Sequence, residues 1–254
     1  MALSQAQIEQ FKIDGYLVLP GFLAESQTDT LTKLTQHHLK HRISPFELEA
    51  EVRYPGSPKS QTDTGGDTIR RLLLADRRAD DFFQLANQPM IVRSIGQILQ
   101  TSEVYLNPNH HNCVMTKQPK FSSDTLWHRD TRYWNFNNKY LINAWFALGD
   151  ELAANGAMKI LPGSHRWQVQ DEALDKDQFL LLNHPYNKVR LETARSVELS
   201  AGDALLFSAH CFHAAGRNKT QKPKLSAVFT YHGPATSAIT GTRSAKLPTI
   251  RVGV

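Results

Sequence analysis

The sequence predicts an α+β fold in which helices come first and short strands follow, the strands forming a jelly roll or barrel. Three observations predict it. Apolar residues recur at helical spacing through the first hundred residues, as in "LSQAQIEQFKIDG" and "RADDFFQLANQPMIVRSIGQILQ". After residue 103 the period falls to two, in "VYLNPNHHNCVMTK", "YLINAWFALGD", "ALLFSAHCFHA" and "KLSAVFTYHG". Turn signals separate these runs at Asn155-Gly156, Pro162-Gly163, Gly202-Asp203 and Gly233-Pro234. No linker-like run and no repeat divides the chain. Its 254 residues, 41% hydrophobic, read as one domain, with 1–103 a mostly helical support and 104–254 the jelly-roll core.

The elements follow in order. Ser4 is placed to cap a first helix, with Gln7 three residues on as its capping-box partner and Gly15 as its stop. "YLVLPGF" is a short apolar strand closed by Pro-Gly, and "LAESQTDTLTKLTQHHLKH" resumes helical spacing through Leu31, Leu34 and Leu39. Residues 44–68, rich in Ser, Pro, Gly and Asp, read as a long loop. Residues 78–100 read as further helix. From there the strands run to the end of the chain.

Composition narrows the function classes. The net charge is +5, but basic residues are scattered among acids, and Arg77-Arg78 is followed at once by Asp80-Asp81. That pattern speaks against nucleic acid and leaves an anionic small molecule compatible. Cys113 and Cys211 sit in apolar runs and read as buried free thiols. "MALSQAQIEQF" has no basic segment followed by an apolar one, and no apolar run approaches the roughly 20 residues of a membrane span. A cytoplasmic setting is the expectation, and the oligomeric state is open.

The stretch "LWHRDTRYW" concentrates the chemistry. On a strand, residues i and i+2 share a face, so His128 and Asp130 project side by side. A helix would separate them by about 200°. Candidates for a third ligand are His110 and His111 on an earlier strand, His165 in the "PGSH" turn, and His210 and His213 on "LLFSAHCFHAAG". Two histidines and one carboxylate with open positions is the donor set of non-haem Fe(II) oxygenases, whereas structural zinc takes four closed ligands. Spacing alone does not choose among these histidines.

The order His128-Arg-Asp130, Trp145-Phe-Ala-Leu-Gly-Asp150, Asn155-Gly156 through Pro162-Gly163-Ser164-His165, Gly202-Asp203, and His213-Ala-Ala-Gly216-Arg-Asn218 resembles the phytanoyl-CoA dioxygenase family. "FKIDGYLVLPGFL" is similar to that family's opening, and the resemblance covers most of the chain, least over 44–68 and 168–195. It implies a double-stranded β-helix (a cupin-like jelly roll), an Fe(II) centre, 2-oxoglutarate as co-substrate and O2. It also implies that His128, Asp130 and His213 are the metal ligands and that Trp145 lines the co-substrate pocket. In the family an arginine eleven residues after the distal histidine meets the far carboxylate of 2-oxoglutarate. Here that position is Lys224, which shares a strand face with Ser226. A lysine offers a point charge in place of a bidentate fork. Arg217 falls in the turn after His213 and is read as facing elsewhere, and Ala215 stands where relatives often supply a hydroxyl.

Other residues are assigned by face and type. Asn107, Asn109, His111 and Cys113 share one strand face, with His110 opposite if the strand is regular. Cys113 is assigned to the co-substrate seat with Lys224, Ser226 and Trp145. Asn109, His111, Arg70, Arg71 and Trp134 are assigned to a small-molecule substrate, and Trp127 and Tyr133 to core or pocket wall. The expected reaction is hydroxylation at a C–H bond, since the family's halogenating relatives carry a small residue in place of Asp130. The alternatives are a metal-binding jelly roll without oxygenase turnover, suggested by Lys224, and a zinc hydrolase or isomerase.

Overall fold

The computed structural model describes residues 2–52, 54–138 and 140–253, and the side chain of Tyr133 lies outside that description. Helices α1 (Gln5–Asp14) and α2 (Glu25–Lys40) flank strand β1 (Tyr16–Leu19). Strands β2 (Phe46–Leu48) and β3 (Ile69–Leu73) follow, then helices α3 (Asp80–Ala86) and α4 (Pro89–Leu99). The remaining strands are β4 (Val104–Lys117), β5 (Thr125–His128), β6 (Leu141–Ala147), β7 (Met158–Ile160), β8 (Arg195–Val197), β9 (Ala204–Ser208), β10 (His213–Ala215), β11 (Lys224–His232) and β12 (Ile250–Val252), with helix α5 (Pro185–Leu191) before β8. No helix among the described residues is long and apolar enough to cross a membrane.

The strands form two antiparallel sheets of a jelly roll. The larger runs β1-β9-β6-β11-β4-β3-β2 with β12 also on β4, and the smaller runs β5-β10-β7-β8. The period of two explains how one strand serves two cores. On β11, Leu225, Ala227, Phe229 and Tyr231 join the large cluster that holds Phe11, Leu31, Phe82 and Ile91 from the helices. Val228, on the other face, packs with Trp145 of β6 and Phe207 of β9 between the sheets. Every residue of β6 and β11 is buried, as expected of central strands covered on both faces.

The predicted capping box forms: the Ser4 hydroxyl accepts from the Gln7 amide, the Gln7 side chain accepts from Ser4 N–H, and Gly15 ends α1 in the left-handed conformation. Three expectations change. Residues 78–100 make two helices because Pro89 begins α4, and a residue preceding proline is pushed out of helical geometry. The loop 44–68 contains β2 and a 3-10 turn at Glu49–Glu51, and β1 to β3 all add to the larger sheet, so the first 103 residues also contribute strands. Strand β4 is irregular: against β11, Thr230 pairs with Asn107 and Phe229 with Asn112, which leaves 108–111 in a bulge.

Candidate metal centre and cavity

Antiparallel pairing of β5 with β10 sets His128 directly opposite His213. Their rings lie 4.3 Å apart between centroids. The strand ends at His128, so Asp130 does not share a regular strand face with it; Asp130 opens a 3-10 turn, Asp130–Tyr133. That turn still carries the carboxylate inward. Asp130 Oδ1 is 3.6 Å from His128 Nε2 and 3.6 Å from His213 Nε2. Each ring is oriented from behind: His128 Nδ1 donates to Leu126 O at 2.7 Å, and His213 Nδ1 to Cys211 O at 3.1 Å. Donation from Nδ1 leaves the Nε2 lone pairs facing Asp130 Oδ1.

These three residues form the group of potential ligand atoms found among the described residues, all within 4.8 Å of one another. The other histidines are held elsewhere. His110 Nε2 meets Ser244 Oγ at 2.7 Å, and His165 Nε2 meets Lys12 O at 3.2 Å. His210 and His111 stand outside the group. His111 Nε2 donates to Asp130 Oδ1 at 2.8 Å and so braces the carboxylate. Two imidazole nitrogens and one carboxylate oxygen, fixed from behind and facing a cavity, fit Fe(II) with coordination positions left open.

Electrostatics agree with that donor set. Burial alone would raise the Asp130 acid, but His111, by its charge and its hydrogen bond, holds it well below the usual carboxylate range. Burial drives His213 down to about 4 despite Asp130, which keeps its imidazole neutral and able to ligate. His111 is raised to about 9: burial opposes its charge, and Asp130 outweighs burial. The second oxygen of Asp130 accepts from Asn143 Nδ2 at 2.6 Å, and Thr230 Oγ1 donates to Asn143 Oδ1 at 2.6 Å. This Thr230–Asn143–Asp130 chain is fully buried and fixes the carboxylate plane.

The triad opens on a cavity of about 440 Å³ between the sheets. Its wall includes Trp145, Phe207, Met158, Lys117, Lys224, Arg71, Arg132, Trp134 and Arg243. Lys224 reaches it from β11, but its ammonium is already engaged. Lys224 Nζ lies 2.8 Å from Glu151 Oε2 and 3.2 Å from Ser226 Oγ. Ser226 Oγ and Trp145 Nε1 both donate to Glu151 Oε1, at 2.5 and 2.8 Å. Ser226 and Glu151 are fully buried behind the cavity wall. The expected inward pair of cation and hydroxyl is therefore a cation alone, with the hydroxyl turned to Glu151.

The other assignments divide. Arg70 and Arg71 both line the cavity. Arg70 donates to Glu49 Oε2 at 3.3 Å, Ser123 Oγ at 2.7 Å and Thr125 Oγ1 at 3.2 Å, while Arg71 grips both oxygens of Glu47. His111 and Trp134 line the cavity, Trp134 stacking on His110 at 4.9 Å. His110 lines it too, against the regular-strand expectation, because the bulge at 108–111 breaks the alternation. The same bulge carries Asn109 away: its amide donates to Ser244 O and Leu247 O, tying down the C-terminal segment. Cys113 is fully buried in the wall with Trp145 and Val228, which removes its thiol from the co-substrate seat. Arg217 pairs with Asp124 Oδ2 at 3.1 Å near the surface, Ala215 lines the cavity, and Trp127 packs against the cluster of Leu161, Leu180 and Phe212.

Sequence reasoning missed Glu151, Asn143 and Lys117. Asn143 was findable, since it shares the inward face of β6 with Trp145 at a spacing of two. Glu151 carried no such signal, because it follows β6 in a loop, anchored where its amide donates to Leu199 O.

Comparison with known proteins agrees with this architecture. The family described as phytanoyl-CoA dioxygenase (PhyH) matches residues 11–226. An ectoine dioxygenase of Streptomyces avermitilis is 24% identical over 258 aligned positions, covering 93% of this chain and 81% of the relative. Among solved structures, the epimerase SnoN in complex with Fe3+, alpha ketoglutarate and nogalamycin RO superposes with a TM-score of 0.74 at 22% identity, covering 96% of this chain and 90% of that one. EctD from S. alaskensis with 2-oxoglutarate and 5-hydroxyectoine superposes at 0.71 and 18% identity, covering 93% and 78%. The family match spans most of the sequence, including all three clustered ligand residues, and the chain belongs to the phytanoyl-CoA dioxygenase family, among the Fe(II)- and 2-oxoglutarate-dependent oxygenases.

Proposed function

We propose that this chain hydroxylates a C–H bond of a small anionic molecule, with His128, Asp130 and His213 holding Fe(II). The observation that carries the reading is the pairing of two imidazoles across β5 and β10 with a buried carboxylate, open to a cavity of about 440 Å³. Fe(II) with 2-oxoglutarate and O2 supplies the oxidising power, one oxygen atom going to the substrate and the other to succinate as CO2 is lost.

The chain's own residues bind and orient. Trp145, Phe207 and Met158 give the interior apolar walls that keep water from the reacting centre. Arg70, Arg71, Lys117, Arg132, Lys224 and Arg243 line the cavity against Glu47, Asp130 and Asp177, and Glu49 and Glu151 pair with Arg70 and Lys224 from behind the wall, six bases to five acids. Arg132 lies over the Phe179 ring at 3.7 Å, and Arg243 is exposed. That balance draws an anion inward. A relative whose structure holds 5-hydroxyectoine with 2-oxoglutarate supports hydroxylation as the outcome. One observation favours a second reading, metal binding without turnover: Glu151 already satisfies Lys224 and Ser226.

The test is succinate formation with Fe(II), 2-oxoglutarate and a panel of carboxylates, phosphates and neutral metabolites. The reading expects substrate-dependent succinate, a product heavier by one oxygen, and none above background in His213→Ala. Full metal loading with no succinate across the panel would favour the second reading.

A further inference from the structure

Of the four cations that β3, β4 and β11 bring to the cavity, three are closed in charge pairs and one is left over. Arg70 is answered by Glu49, Arg71 by Glu47 and Lys224 by Glu151. Lys117 has no such partner among the described residues. Its ammonium donates to two backbone carbonyls, Ser123 O at 3.0 Å and Gly216 O at 2.7 Å, and two carbonyls neutralise no charge. An ammonium has three N–H donors, so one remains for the cavity that Lys117 lines. The residue is buried, and it pairs directly with Lys224 across the β4–β11 ladder.

The packing keeps it there. Gly156 adopts φ +85°, and a Cβ at that position would lie 2.4 Å from Gly216 O and 2.9 Å from Lys117 Cδ. Glycine thus lets the lysine stem and the 216 carbonyl close on the same point. A buried cation without a counter-ion is costly unless an anion arrives. Burial, then the charges of Arg70 and Lys224, drive Lys117 down to about 7, with Glu49 and Asp124 opposing.

We propose that the distal carboxylate of the 2-oxo-acid co-substrate is received by Lys117 beside Lys224, so that two lysines on one β4–β11 rung replace the single arginine of relatives, with Glu151 holding Lys224 in position. This rests on the reading of the chain as a 2-oxoglutarate oxygenase. Lys117 touches the co-substrate in this scheme, whereas Glu151 is a positioning residue. The bland alternative is a structural lysine that clamps the carbonyls of 123 and 216, and it predicts lost stability with no selective loss of one acid.

The experiment is calorimetric titration of the anaerobic Fe(II) protein with 2-oxoglutarate and, separately, with 2-oxobutyrate, which lacks the distal carboxylate. Lys117→Met is expected to weaken 2-oxoglutarate about thirtyfold or more and to leave 2-oxobutyrate within about twofold. Lys117→Gln, which retains a donor for one carbonyl, covers the case in which the methionine variant does not fold. The unsubstituted protein gives a second readout. Above pH 7 Lys117 must take up a proton to receive the anion, so 2-oxoglutarate affinity falls by up to about tenfold per pH unit, while 2-oxobutyrate affinity stays flat. Equal loss of both acids in the variants, or no loss, overturns the assignment while the oxygenase reading stands. Failure of both acids to bind the unsubstituted Fe(II) protein overturns the oxygenase reading and the assignment with it.

Discussion

Asp130→Ala abolishes iron retention while the fold persists. The substitution removes one of three ligand atoms and the negative charge that His111 braces. Loss of an outer hydrogen-bond partner typically costs about 10–100-fold in metal affinity, so loss of the ligand itself must exceed that range. The structural cost is smaller. Asn143 Nδ2 and His111 Nε2 lose their acceptor, about 1–3 kcal/mol for each unsatisfied buried donor, offset in part because His111 then sheds its proton and the buried carboxylate no longer has to be desolvated. Metal analysis after dialysis, beside far-UV circular dichroism, checks both halves. Stoichiometric iron in Asp130→Ala would show that the carboxylate is a bystander.

Glu151→Ala gives the largest loss of stability. Glu151 is fully buried and receives Lys224 at 2.8 Å, Ser226 at 2.5 Å and Trp145 at 2.8 Å. Removing one member of a buried ion pair costs about 3–5 kcal/mol because the other charge stays buried. For a chain of this size that is a drop of roughly 10 °C in Tm. The double substitution Glu151→Leu with Lys224→Met is expected to regain most of it, since replacing a whole buried pair by apolar groups is often neutral. Urea unfolding of the single and double variants measures the coupling. A single-variant loss under about 1 kcal/mol would mean that the pair behaves as an exposed one.

The fold was legible where one physical rule acts alone. Ser4, Gln7 and Gly15 set both ends of α1 because capping is local. The change of apolar period near residue 103 marked the passage from helices to the jelly roll, since period follows backbone geometry. Other features depend on what is packed alongside. The side-by-side placement of His128 and Asp130 came from a strand argument, yet the strand stops at His128 and a 3-10 turn delivers the carboxylate. Four bulged residues on β4 reverse His110 and divert Asn109, and a bulge leaves no mark on alternation read from one strand. The break at Pro89 was visible, but helical apolar spacing on both sides masked it.

The site was half legible for the same reason. Ligand types and order can be read along the chain, whereas Glu151 reaches Lys224 across 73 positions, a distance that only folding closes. Lys117 carries no signal along the chain, and only the fold shows that three neighbouring cations have acidic partners and it does not.

The most direct measurement is the visible absorption of the anaerobic Fe(II) protein before and after 2-oxoglutarate. The account predicts a new band at one equivalent of the acid in the wild type and none in His213→Ala, because chelation needs iron held by the triad with adjacent positions open. An unchanged spectrum in a wild-type protein that carries one iron per chain would contradict it.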